Sequence, residues 1–141
     1  WQKPNPPPNL ACRYFTHSTE TIIWASKNLK SKHKFNYKFM REINGGKQMK
    51  DVWVMTAPAR AEKNYGKHPT QKPLSLLDRL ILAASDEGDL VLDAFNGSGT
   101  TGVSCIRTNR KYIGIELEKE FIKLSKKRFS EQRKLNEDLF H

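Results

Sequence analysis

The run Leu90-Val91-Leu92-Asp93, continuing into Ala94-Phe95-Asn96-Gly97-Ser98-Gly99-Thr100-Thr101-Gly102, leaves a chain few ways to fold. A short apolar run ends in an acid, passes through a glycine-rich turn and enters a helical pattern. Asn109-Arg110-Lys111 then turns the chain into Tyr112-Ile113-Gly114-Ile115-Glu116, a second apolar run closed by an acid. This order predicts a β-loop-α-β unit. Gly97 and Gly99 let the backbone bend sharply and approach a ligand closely. An acid roughly 20 residues on can accept hydrogen bonds from both ribose hydroxyls, so the unit reads as a holder for a nucleoside cofactor. The Phe-x-Gly-x-Gly spacing is not the GxGxxG of dinucleotide sites, and no Lys follows the glycines as in a phosphate loop. An ordinary strand-to-helix turn is the plain alternative; Asp93 and Glu116, each closing a strand, argue against it.

Upstream lies His68-Pro69-Thr70-Gln71-Lys72-Pro73, then Leu74-Ser75-Leu76-Leu77-Asp78-Arg79-Leu80-Ile81-Leu82-Ala83. Pro73 near the first helical position and the apolar stripe after it predict a helix start. The order HPTQKP, helix, VLDAFNGSGTTG, IGIE resembles the S-adenosylmethionine-dependent DNA amino-methyltransferases, which modify an exocyclic amine of adenine or cytosine. Within them it is similar to the permuted subgroup whose cofactor motifs follow the target-recognition segment. Trp1-Gln2-Lys3-Pro4-Asn5-Pro6-Pro7-Pro8-Asn9 and residues 13–27 resemble the family's segment before that region, so the resemblance covers most of the chain.

The resemblance implies an α/β, Rossmann-like methyltransferase fold, a mixed sheet flanked by helices, incomplete in this chain. It implies S-adenosyl-L-methionine as cofactor and a methyl transfer to the exocyclic amine of a flipped-out base, with adenine N6 preferred over cytosine N4. Phe95 is expected to cover the adenine or sulfonium region, with the backbone of Gly97, Ser98 and Gly99 lining the methionine moiety and Asn96 and Thr100 as further cofactor-binding candidates. Asp93 would orient the loop or reach the amino group through water; Glu116 would take the ribose hydroxyls. Thr70 and Lys72 are expected at the cofactor carboxylate, with Lys72 as a solvated helix-start residue the alternative, and His68 reads equally as a turn residue. In the family an Asp-Pro-Pro-Tyr-like motif holds the amine and stacks on the base. No such motif occurs here. Asn5, Pro6 and Pro7 are the nearest candidates, but Pro8 stands where a stacking aromatic is needed. These residues fit better the Trp-x-Lys-x-Asn-Pro-x-Pro segment that follows the catalytic motif. The chain therefore reads as the C-terminal part of a longer enzyme, or one half of a split one whose partner supplies catalysis. A non-catalytic DNA-binding or specificity subunit is the second reading, and a homodimer stays open. The setting implied is the bacterial cytoplasm, in a restriction-modification or epigenetic system.

Charge separates along the chain. Residues 1–72 hold 14 Lys and Arg against 4 Asp and Glu, whereas residues 73–141 hold 11 of each, so the whole formal charge of +10 lies on the first part. A segregated excess argues for a polyanion on one face, which the resemblance identifies as double-stranded DNA. Three parts follow: a strand segment 1–29, with β-like runs 13–17 and 21–25 expected to pair through a turn at 18–20; a recognition region 30–67; and a cofactor region 68–141. In 30–67 the candidates for phosphate contact are Lys30, Lys32, Lys34, Lys38, Arg41, Lys47 and Lys50, interleaved with Phe35, Tyr37, Phe39, Trp53 and Tyr65. Trp53, inside an alternating run, reads as a small-core residue. The run Lys123, Lys126, Lys127, Arg128 reads as a solvated helix face, with Phe121, Ile122, Leu124 and Phe129 packing on the sheet. Cys12 and Cys105 form no disulfide framework and no metal-ligand spacing. No stretch approaches the roughly 18 apolar residues of a membrane span, and no signal peptide is visible.

Overall fold

The computed structural model describes residues 1–138; the last three positions of the cofactor region, 139–141, lie outside the described residues. The elements run α1 (Tyr37–Ile43), a 3-10 turn (Arg60–Lys63), α2 (Leu74–Ala84), β1 (Leu90–Asp93), α3 (Thr100–Arg107), β2 (Lys111–Gly114) and α4 (Lys119–Asp138). The expected β-loop-α-β unit is formed. Its strands are parallel, with Leu90 opposite Lys111 and Asp93 opposite Gly114.

Helix α2 starts where Pro73 sits in extended backbone as its N-cap, because proline tolerates the helix entrance but not the interior. Its first N–H, from Leu74, donates to a carboxylate oxygen of Glu62 at 2.8 Å. Leu76, Ile81 and Ala83 form its buried face. Helix α3 packs against α2 on one side and α4 on the other, and Val103, Cys105 and Leu124 join the core. Burial pushes the Cys105 thiol up to about 11, which leaves it an inert core side chain.

The sheet is covered on one face only. Side chains alternate along a strand, and Val91 and Tyr112 on the covered face are half-buried while Leu90, Leu92, Ile113 and Ile115 are exposed. Leu92, opposite Ile113 in the ladder, is 62% exposed. Parallel sheets normally bury both faces.

The hairpin expected over 13–25 is not formed. Residues 1–3 instead lie between two other segments: Gln2 bridges Thr19 in antiparallel fashion and Val54 in parallel fashion. The Lys3 N–H donates to Ser18 O, the Glu20 N–H to Trp1 O and the Gln2 N–H to Trp53 O. Trp1 is buried, with its indole N–H on Met55 O at 2.7 Å. The N-terminal segment thus engages 18–20, the expected turn, and runs 13–17 and 21–25 form no ladder with each other, with Phe15 and Ile23 exposed.

Region 30–67 contains α1, which its sequence did not announce: only Met40 on this seven-residue helix is buried, too few positions to produce a periodic stripe. The region docks through Asn36, whose side-chain amide donates to Leu82 O at 2.9 Å and Ser85 O at 2.8 Å, closing the C-terminus of α2. Trp53 is half-buried, with the Arg79 guanidinium of α2 5.1 Å from its ring centroid.

Candidate functional site

The loop between β1 and α3 is held at both ends by one carboxylate. Asp93 accepts from the Phe95 N–H at 3.0 Å through Oδ1 and from the Thr101 hydroxyl at 2.6 Å through Oδ2. Asn96, buried, donates its N–H to Ile115 O at 2.9 Å and accepts from the Tyr112 hydroxyl at 2.6 Å. Burial raises the pKa of that Tyr112 hydroxyl, which keeps it a neutral donor. Gly99 follows as the N-cap of α3 in left-handed backbone, φ 76°. The first bond from the loop into α3 is Val103 N–H to Gly99 O. Among the described residues, the N–H groups of Thr100, Thr101 and Gly102 have no backbone acceptor, as at any helix start.

Glu116, just past β2, reaches back to this loop. One carboxylate oxygen accepts from the Gly97 N–H at 2.7 Å and the other from the N–H groups of Leu117 at 2.8 Å and Glu118 at 3.0 Å. The bond from Glu118, then those from Gly97 and Leu117, with the nearby His68 adding a smaller effect, outweigh desolvation and hold its carboxyl below the usual range. It is an anion with lone pairs to spare, seated at the strand ends.

His68 closes on the same loop. Its Nε2 lies 3.0 Å from where a Gly97 Cβ would be, a tight contact that adds to the cost of the left-handed backbone, φ 49°, for any other residue there. Its ring meets Phe121 of α4 at 4.2 Å, and the Thr70 N–H points to its Nδ1 at 3.3 Å. His68 is therefore a packed neighbour of the glycine loop, not merely a turn residue. Glu62 fastens the same segment: besides Leu74 it accepts from the Ala59 N–H at 3.0 Å. Gln71, buried, donates to Glu62 O at 2.9 Å, and its own Oε1 has no hydrogen-bond partner among the described residues.

Of the residues singled out from sequence, Asp93, Phe95, Asn96, Gly97, Ser98, Gly99, Thr100 and Glu116 come together around this one loop, with Thr70 one neighbour away through His68. The side chains of Ser98 and Thr100 are buried and turned to each other at 3.3 Å. Phe95 is 91% exposed beside the loop. Lys72 is engaged elsewhere: its ammonium pairs with Glu20 at 2.6 Å, and Lys3 pairs with the other Glu20 oxygen at 2.5 Å. Burial raises the Glu20 carboxyl, but the Lys3 and Lys72 hydrogen bonds outweigh it and hold the group low. Asn5 and Pro7 are exposed, Pro6 half-buried, and none joins the loop network. Lys30, Lys32, Lys38, Lys47 and Lys50 are exposed; Arg41 donates to Gly46 O at 2.6 Å, and Lys34 pairs with Asp86 and with Asp89 at 3.3 Å. One sequence expectation is corrected: Arg128 is not part of a solvated helix face but is buried against the loop. Its immediate neighbours Lys126 and Lys127 are exposed, so charge pattern alone could not single it out.

The family model described as DNA methylase, the N6/N4 methyltransferase model, matches residues 1–127. The chain is 58% identical over 137 residues to the type II methyltransferase M2.DpnII of Streptococcus pneumoniae, covering 96% of this chain and 51% of that protein. It is 60% identical over 131 residues to type II methyltransferase M2.LlaDCHI of Lactococcus lactis subsp. cremoris, covering 92% and 49%. The chain thus spans about half the length of the curated relatives it matches. Among solved structures, the M1.HpyAVI complex with S-adenosylmethionine superposes with a TM-score of 0.71 at 39% identity, over 91% of this chain and 58% of that one. The cytosine-N4-specific PvuII DNA methyltransferase superposes with a TM-score of 0.57 at 26% identity, over 68% and 36%.

Proposed function

Because the chain belongs to the N6/N4 DNA methylase family, we propose that it is the methyl-donor-holding part of a DNA methyltransferase acting on the exocyclic amine of a flipped-out base, with adenine N6 preferred. Its fold is the Rossmann-like methyltransferase fold, represented here by one β-α-β unit and its helices. One observation carries the reading: an anionic Glu116 and the glycine loop meet at the ends of two parallel strands, locked together through Gly97 N–H.

The residues present fit S-adenosylmethionine. Glu116 offers charge-assisted acceptance to a ribose diol. Gly97 and Gly99 hold the left-handed backbone, φ 49° and 76°, that turns the loop from β1 into α3 beside Glu116. The exposed Phe95 and Leu117 flank the loop with apolar surface for an adenine ring. When bound, the cofactor supplies a methyl group on a sulfonium, already a good leaving group. This chain's own work is to hold and orient it, which Asp93 does indirectly by fixing both ends of the loop. The likeness to the M1.HpyAVI complex supports this assignment.

The acceptor side comes from elsewhere. The sequence has no Asp-Pro-Pro-Tyr-like motif, and the bare face of β1–β2 requires cover. The part that covers it, whether in the same polypeptide or a second chain, is proposed to hold the amine. The same bare face is what favours the second reading, a subunit that binds donor and DNA but depends on a partner for chemistry. Lys30, Lys32 and Lys38, near the exposed aromatic row Trp24, Phe35 and Tyr37, are proposed to meet duplex DNA. The setting is the bacterial cytoplasm.

Full-length protein incubated with methyl-tritiated S-adenosylmethionine and duplex DNA should label N6-methyladenine after digestion to nucleosides. Label in N4-methylcytosine would correct the base, and no label with or without a partner chain would refute the activity. Glu116→Ala should weaken cofactor binding at least tenfold by calorimetry; unchanged affinity would count against the ribose assignment.

A further inference from the structure

Arg128 lies on α4 and is only 6% exposed. Its Nη1 donates to three oxygens of the glycine loop: Ser98 O at 2.7 Å, Ser98 Oγ at 3.0 Å and Thr100 Oγ1 at 3.0 Å. No carboxylate lies within ion-pair distance of it among the described residues; the nearest influence of opposite sign is the more distant Glu62. A buried cation without a counterion is costly, and a chain that needed only to pack α4 would do better with an apolar side chain. Docking of α4 is in fact secured independently. Leu124 contacts Gly66, and Phe129 fills the space that Cβ atoms at Gly99 and Gly102 would need. What the guanidinium adds is a charged donor, its Nη1, set on the one stretch of backbone between the Gly97 N–H tied to Glu116 and the start of α3.

We propose that Arg128 is a positioning residue for methyl-donor binding: by gathering the Ser98 and Thr100 oxygens onto α4, it holds loop 96–100 in its ligand-ready shape. The proposal rests on the methyl-donor reading above. It follows that Ser98 and Thr100 act through their backbone, since their hydroxyls serve the arginine. Loss of Arg128 should leave the fold in place but let the loop sample other shapes, so that donor affinity falls by the fraction of time the loop is competent. Arg128 does not touch the DNA-facing lysines, so the effect should be confined to one substrate.

The test uses the full-length enzyme and the variants Arg128→Met, which removes every donor, and Arg128→Lys, which keeps the charge but not the planar guanidinium. Arg128→Met is expected to weaken S-adenosylmethionine binding at least tenfold by calorimetry and raise the KM for the cofactor alike. The KM for DNA should stay within twofold and the circular dichroism spectrum be retained. Arg128→Lys should recover part of the affinity. Three results would overturn the proposal: donor affinity within twofold of wild type in either variant, equal loss for donor and DNA, or an Arg128→Met protein that does not fold, since α4 would then depend on the guanidinium for docking. Wild-type protein that fails to bind the donor would remove the underlying reading and this inference with it; wild-type binding matched by Arg128→Met removes this inference alone.

Discussion

Gly99 concentrates the demands that the site makes on single residues. Its backbone is left-handed, φ 76°, and a Cβ there would sit 2.6 Å from the Ser125 Cβ and 2.8 Å from the Phe129 ring. Gly99→Ala should cost about 2–4 kcal/mol from strain and overpacking together, read as a lowered denaturant midpoint at unchanged slope. Glu20 makes a different prediction. Its folded pKa is depressed by Lys3 and Lys72, so the stability it contributes is complete above the unfolded carboxyl value of about 4.3 and is lost as pH falls through the lower folded value. Glu20→Gln should therefore flatten the acid limb of the melting profile and leave its dependence near neutrality unchanged. The loop positions of Asp93, Gly97, Gly99 and Glu116 are legible in the sequence because strand, turn and spacing are written in consecutive residues. Arg128, Tyr112 and Glu62 are not, because each acquires its role from an element that docks from elsewhere in the chain. Nothing near Arg128 in the sequence marks it out from the solvated Lys126 and Lys127.

At the level of elements, the same contrast separates the cofactor half from the rest. Helix α2, both strands and α3 follow apolar periodicity and turn chemistry closely, and they appear where the sequence predicts them. The hairpin over 13–25 fails because β-propensity does not choose a partner, and residues 1–3 take the available hydrogen bonds of 18–20. Helix α1 is positioned by a tertiary cap, not by its own pattern. Asn36→Ala removes two bonds to the carbonyls that end α2 and should cost about 1–3 kcal/mol. Hydrogen exchange should show the loss locally, with protection falling across 37–43 and hardly changing in α3.

For the whole molecule, charge distribution sets the response to salt. Replacing Lys32 or Lys38 by Ala should lower the slope of log affinity for duplex DNA against log salt by about 0.9 each. Lys34→Ala should change it less, since its ammonium is already paired with Asp86 and Asp89. The bare β1–β2 face has a consequence of another kind. Strand β1 ends at Asp93, which fixes the loop, so cover on this face would bear on the methyl-donor site proposed above. Coupling of this sort is reciprocal: any factor by which sheet completion tightens donor binding is the factor by which donor tightens the union of the two parts. On the reading proposed above, methyl donor would then act as an assembly ligand for the two parts. Titrating the separately produced parts with and without S-adenosylmethionine should show the shift in their mutual Kd.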